Sequence, residues 1–430
     1  MSHRSWPRWC LGLLLILALV AGCVPKLAEM PTPEPITLRF AYRQNTVELQ
    51  SLFDRFHERY PWITIEPVET DRFGNAGMDT LLRASTVDIF RDSRDALQYA
   101  AEGMLKSLDD IQLGDWASIR DDYYKGAWEG LAIGGQQWGI PAGLDMLVTY
   151  INMDQARALA ARVPDAQWTL LDFMELTTAL NYPEGLPNAD AKLFGFCTTP
   201  QGVDAIVFTY LHGGRIVDDI NAPSEPTLDD PRTVEAVQWY ADLYTRHGLA
   251  PDPEVIRTTF RRGGVFEAAM RGACGVWFGW YSDRGGLDDR FEWSFKWRML
   301  PLPRDQAPFN LGDVEGYYIT KDCAHPKEAL KLLRFLSDHL EAAGKKLPPR
   351  KSLVESDAYE DLVGEEVATI ARSFGESRVQ MIPATSMPAL ETVGGAFFQA
   401  VQQIITEDLD AADVLAEAQQ QVRSAFKEAP

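Results

Sequence analysis

The chain has 430 residues, 46% hydrophobic and 24% charged, an ordinary globular composition that excludes collagen-like, mucin-like and largely disordered readings. Forty-one Lys and Arg against 62 Asp and Glu leave a formal net charge of −21, and no basic stretch is concentrated anywhere, so nucleic acid is excluded as a partner. The length predicts two or three domains, and five cysteines are too few for a disulfide framework.

Residues 1–22, MSHRSWPRWCLGLLLILALVAG, place Arg4 and Arg8 ahead of an apolar run from Leu11 to Val20, with small Ala21 and Gly22 after it. This is the pattern of an export signal, too short to span a bilayer comfortably. Val20-Ala21-Gly22-Cys23 also resembles a bacterial lipobox, which implies cleavage before Cys23 and acylation of that residue. An uncleaved anchor or a soluble secreted chain with a chance cysteine is the plainer alternative. Cleavage removes two positive charges and deepens the net charge from −21 to −23. Two or more acyl chains anchor stably, since each buried CH₂ contributes about 0.8 kcal/mol. Residues 24–35 hold four prolines and read as a semi-rigid tether.

Loss of the signal and acylation of Cys23 leave Cys197, Cys274 and Cys323, an odd number. At most one pair forms within the chain; buried free thiols are the favoured expectation, because Cys packs as a small hydrophobe.

The body alternates strand and helix. Ile36, Leu38, Phe40 and Tyr42 alternate with polar residues, and Leu49, Leu52, Phe53, Phe56 and Tyr60 then follow helical spacing up to Pro61. Ile63 to Val68 reads as another strand, so the chain opens with a βαβ unit. Gly139-Ile140-Pro141 closes a short extended segment, and Met146 to Ile151 forms a second one. Asp229-Asp230-Pro231 caps a helix that Gly248 ends. Pro326 opens another, with Ala329, Leu332, Leu333, Leu336 and Leu340 on one side. Two more amphipathic stretches lie around Phe397–Ile405 and Ala411–Phe426. Trp62 reads as a packing residue.

Catalytic signatures are mostly absent. There is no phosphate loop, G-x-G-x-x-G, G-x-S-x-G or H-E-x-x-H, and the six histidines show no metal-ligand spacing. Ser424-x-x-Lys427 lies at the extreme C-terminus, on a predicted amphipathic helix. The expectation is a binding protein without cofactor or metal, not an enzyme.

Several segments, taken in order, resemble the extracellular solute-binding proteins of ABC importers, the sugar-binding family 1. They are ITLRFAYRQNTVELQSLFDRFHERYPWITIEPVE, DIFRDSRDALQYAAEGMLKSLDDI, GQQWGIPAGLDMLVTYINMD, QWTLLDFMELTTAL, FGF, HGGRIVDD, GVWFGW, MLPLPRD, DVEGYYITKDCAHPKEALKLLRFLSD and LPPRKS. Each is weak alone; in order they carry a resemblance that runs over roughly residues 36–427. The resemblance implies an α/β, two-lobed periplasmic-binding-protein fold of type II-like architecture. Several crossing segments form its hinge, after Pro141, near Pro301-Leu302-Pro303 and near Arg350, with the solute cleft between the lobes. The lobes are expected at 36–143 plus 303–350 and at 144–302 plus 351–430.

Sugars stack their C–H faces on aromatic rings and offer hydroxyls to charged and amide partners. The glycine-rich aromatic run Cys274 to Tyr281 is the richest in the chain, and the family's matching loop often supplies a stacking tryptophan. Trp277 is therefore the first candidate, followed by Trp280 and Tyr281. The alternative is that Trp277 and Phe278 simply alternate in a half-buried strand. Arg43 and Gln44 follow the first strand, where such sheets present ligands; a solvated turn is the alternative. Asp92 matches a frequent ligand position. Asp145 follows the first crossing, as ligand or hinge hydrogen bond. Asp313 and Glu315 are expected on a loop from Gly312 to Gly316. Arg350 binds solute or braces the hinge.

The resemblance implies a monomeric, lipid-anchored, extracytoplasmic protein that delivers a mono- or oligosaccharide to the transmembrane subunits of an ABC permease. The acidic candidates also suit a polyamine, and a polyol phosphate stays open. A solute sensor for a membrane kinase and a surface glycoside hydrolase are the readings from other classes; the latter needs two carboxylates about 5–9.5 Å apart across a cleft.

Overall fold

The computed structural model describes residues 34–43, 48–70, 75–111, 119–186, 192–200, 202–220, 223–260, 264–286, 292–374, 379–381 and 388–428. The export signal, Cys23, most of the tether and Gln44 lie outside the described residues.

The chain opens as its periodicity predicts. Strand β1 (Ile36–Tyr42) buries Leu38, Phe40 and Tyr42. The following helix, Gln50–Arg59, buries Leu52, Phe53 and Phe56 and stops before Pro61. Phe53 meets Phe40 edge-on at 5.4 Å between ring centroids, which fastens helix to sheet. Strand β2 (Ile63–Glu69) pairs in parallel with β1 from Ile36↔Ile63 onward. Strand β3 (Ile89–Ser93) pairs in parallel on the other side of β1. Trp62 packs edge-on against Tyr60, as a packing residue should.

After a small hairpin, β4 (Ala132–Ile133) and β5 (Gln136–Gln137), comes the strand that organises the molecule. Two separate extended segments were expected there. The structure has one strand, β6 (Gly139–Asn152), with all 14 residues buried. It stays continuous because each half has its own partners. The first half pairs with β10 (Asn310–Ile319), and the second half with β8 (Cys274–Trp280) and β9 (Trp297–Leu300). Pro141 brings no N–H, but it sits opposite Gly316, next to a register shift where the ladder is already interrupted.

Two lobes result. The first has the sheet order β2-β1-β3-β10-β6, with the short β11 (Val379–Met381) also pairing with β10. Helix Pro326–Ser337 covers it through Ala329, Leu332, Leu333 and Leu336. That helix ends before the expected Leu340, which instead opens a short 3₁₀ turn. The second lobe's sheet has β6 between β8 and β9, and β7 (Phe194–Cys197) parallel to β8. Its core joins Phe173, Phe196, Phe208 and Phe278 to the C-terminal helices Pro388–Glu407 and Ala411–Glu428. Local signals hold here too. Asp230 caps helix Pro231–Thr245, and Thr169 with Asp172 forms a capping box on helix Leu170–Ala179.

The cysteines depart from expectation. Cys197 and Cys274 form a disulfide between the neighbouring strands β7 and β8, while Cys323 is free and buried. The expectation weighed burial alone; β7 and β8 are neighbours in one sheet, and there the two cysteines, 77 residues apart in sequence, have Cα atoms 5.5 Å apart. Among the described residues no helix is long and apolar enough to cross a membrane.

Candidate ligand cleft

The lobes meet where β6 passes from one sheet to the other. Asp145 stands at that point, 4% exposed. Its carboxylate accepts the Ser282 backbone N–H at 3.0 Å, the Ser282 hydroxyl at 2.5 Å and Lys346 Nζ at 3.2 Å. Across the ladder, Asp313 is its register partner. Like charges directly opposite each other repel, so this pairing calls for a cation. Lys346 supplies one, reaching Glu315 as well at 3.6 Å.

Glu315 is paired on its other side by Arg91, 2.7 Å away. Arg91 is itself 5% exposed, donates to the Ala342 carbonyl at 2.6 Å and lies over the Tyr317 ring. Burial pushes the Glu315 carboxyl up, but Arg91 and Lys346 outweigh it and hold it below its ordinary value. Burial draws the Lys346 ammonium down, and Glu315, Asp145 and Asp313 together hold it above its ordinary value. Asp313 is different. Burial raises its carboxyl and Lys346 only partly opposes this. Asp92, at the end of β3, is also raised by burial; its hydrogen bond from the Ser93 N–H and Arg43 at 3.6 Å oppose it incompletely. Asp283 is raised by burial too, although it accepts the Trp280 N–H at 2.9 Å.

Asp92, Asp145, Asp313 and Glu315 therefore gather at the junction, with Arg43 beside Asp92. Asp313 and Glu315 were expected on a loop; both lie inside β10, because pairing on both sides of that strand carries it through Gly312 and Gly316. Trp277 is placed in the core. Only 5% exposed, it stacks on Tyr150 at 5.7 Å and meets Trp293 and Phe295 edge-on, while Phe278 turns into the other core: strand alternation rather than an open ring. Tyr281 is fully buried, its hydroxyl against that of Tyr359 and its face covered by Arg284 at 4.3 Å. Trp280, at the end of β8 beside Ser282 and Asp283, is partly exposed and packs against the hydrophobic core of the second lobe. Arg350 donates to Asp122 at 2.7 Å and pairs with Asp338, so its guanidinium braces the segment near Pro349.

The sequence reading missed Arg91, Lys346, Ser282 and Asp283. A cation inside the buried strand Ile89-Phe90-Arg91 was the one available signal, since buried arginine is rare unless paired. Nothing local distinguishes Lys346 from its neighbour Lys345.

A lobed α/β fold with a polar seam at the crossing strands defines a class of solute-binding proteins. The family model described as bacterial extracellular solute-binding protein matches residues 43–339, more than half of the chain, and the chain belongs to that family. The maltose-binding periplasmic protein MalE of Listeria monocytogenes, solved with maltose, superposes with a TM-score of 0.72 at 14% identity, over 92% of this chain and 98% of that one. The ABC substrate-binding protein Lmo0181 of the same organism, solved with cycloalternan, gives 0.71 at 17% identity, over 92% and 100%. An uncharacterised lipoprotein encoded in the oleD 5′ region of Streptomyces antibioticus is 23% identical over 356 residues, 76% of this chain and 72% of that one. The chain is thus a bacterial extracellular solute-binding protein. Family and fold are those of substrate-binding proteins, not enzymes.

Proposed function

We propose that this protein captures a carbohydrate between its lobes and delivers it to the permease of an ABC importer while tethered to the membrane through acylated Cys23. In this reading the lobes are 36–143 plus 303–350 and 144–302 plus 351–430, with the short β11 of the last segment crossing back to pair with β10 of the first lobe. One observation carries the solute assignment: the carboxylates of Asp92, Asp145, Asp313 and Glu315 gather at the lobe junction, and the partly exposed Trp280 lies two residues before Ser282, which bonds Asp145. An aromatic face next to hydroxyl-accepting carboxylates is the chemistry a sugar needs. The maltose and cycloalternan in the two similar structures support the class of solute. The lipobox-like Val20-Ala21-Gly22-Cys23 and the lipoprotein relative support the anchor. The excess of carboxylates over cations favours a second reading, a polyamine.

A thermal-shift panel of maltose, larger and cyclic glucans, amino acids and polyamines tests this. Saccharide at 100 times Kd is expected to stabilise the fold by ~2.7 kcal/mol, a visible rise in melting temperature. A rise with a polyamine and with no carbohydrate overturns the sugar assignment. Trp280→Ala is expected to weaken saccharide binding about tenfold, the loss of one stacking face. Titration calorimetry reads this, and unchanged affinity removes Trp280 from the site.

A further inference from the structure

The seam carries a cation that no sequence motif marked. Lys346 lies on a crossing segment whose next residue, Leu347, exchanges backbone hydrogen bonds with Leu144 of β6. Its stem runs across β6 at Gly143. A Cβ added there would come within 3.1 Å of Lys346 Cβ and Cδ and within 3.3 Å of Arg91 Nη2, so glycine is what leaves both cations room. Beyond Gly143 the ammonium reaches Asp145 on β6 and Glu315 on β10. Arg91 is committed to Glu315 and to a backbone carbonyl, and it is buried. Lys346 keeps 18% of its side chain exposed, and Asp313 beside it is only partly buried. Asp145, Asp313 and Glu315 thus share two cations, one of them locked away from solvent.

We infer that Lys346 is the specificity-determining residue that lets this acidic seam receive an uncharged polyhydroxyl solute and turn away a cation. The inference rests on the reading that solute binds at this seam. With Lys346 present, one carboxylate of the three is left to accept hydroxyl donors, and the ammonium's positive charge repels an incoming amine. Without it, Glu315 keeps Arg91 while Asp145 and Asp313 lose their cation, and a solute amine takes the vacated place between Asp145 and Glu315. Discrimination then rests on repulsion as much as on attraction.

The test compares the wild-type chain with Lys346→Met, which keeps the stem across Gly143 and removes only the charge. Maltose and spermidine are titrated separately by calorimetry at low ionic strength, where charge effects are least screened. Lys346→Met is expected to gain affinity for spermidine by roughly tenfold and to lose a comparable factor for maltose. Lys346→Arg is expected to keep the wild-type order. The double variant Lys346→Met/Asp313→Asn restores the charge balance and is expected to lose the spermidine gain. A merely structural lysine lowers the melting temperature without reversing the preference. If maltose binds the wild type and the methionine variant gains nothing for spermidine, the inference falls and the sugar reading stands. If maltose fails on the wild type while the variant gains spermidine, the sugar reading falls and the role of Lys346 stands. Lys346→Gln carries the same expectation should the methionine variant not fold.

Discussion

Replacing Cys197 and Cys274 together by serine is expected to lower the free energy of unfolding by about 4 kcal/mol. The bond closes a loop with a sequence separation of 77 residues, and cross-linking a loop of that length removes much of the freedom of the unfolded chain. Native burial acts in the same direction, since the two cysteines are 1% and 0% exposed and serine would bring hydroxyls into an apolar site. Urea denaturation of the double serine variant beside the wild type measures the difference. A loss below about 1 kcal/mol would mean that the bond adds little to the second lobe. The location also fits a family that works outside the cell, where disulfides persist.

Asp204→Asn is expected to flatten the dependence of stability on pH. Asp204 lies in the first turn of helix Val203–Leu211, only 8% exposed. It accepts one hydrogen bond from the Thr198 hydroxyl at 2.6 Å, and Thr198 in turn meets the Tyr240 hydroxyl. Burial pushes the carboxyl up to about 7, with the Thr198 hydrogen bond opposing it. The folded value is raised above the unfolded one. Below about pH 4 both states hold the proton and the group contributes equally to each. Between about pH 4 and 7 the unfolded chain releases the proton while the folded chain keeps it. Stability therefore falls as pH rises, by ~1.4 kcal/mol per unit and about 4 kcal/mol across the window. Asparagine still accepts from Thr198 but has no proton to lose, and its own N–H groups change the absolute stability. The slope is the readout. Denaturation at several values between pH 4 and 8 should show the variant losing less stability than the wild type, and parallel profiles would refute the assignment.

Much of this was readable one segment at a time. Asp230 before Pro231, Thr169 three residues before Asp172 and the Leu49–Tyr60 spacing each act within a turn or two of helix, so local sequence carries the whole cause. Motif order from Ile36 to Ser352 was sufficient for the family, because each fragment reflects one local element of the same fold. The carboxylates of the seam were legible as residues, but Asp313 and Glu315 were placed on a loop because glycines flank them; pairing with β3 and β6 overrides that signal.

Trp277 and Trp280 show where local reading ends. Both sit in one aromatic, glycine-rich run, and composition ranks them alike. Alternation along β8 and the placement of Tyr150, Trp293 and Phe295 send the first into the core, and the strand's end leaves the second partly open.

By itself, then, the sequence determined the local elements, the charge, the export signal pattern and the family, all of which rest on neighbours in the chain. Only the tertiary structure decided which thiols join, that β6 runs unbroken through both lobes, and that Lys346 and Arg91 converge over Gly143 on the carboxylates of β6 and β10. The physical reason is the same in each case: these partners are tens to hundreds of residues apart, and sheet pairing and burial, not sequence spacing, bring them within bonding distance.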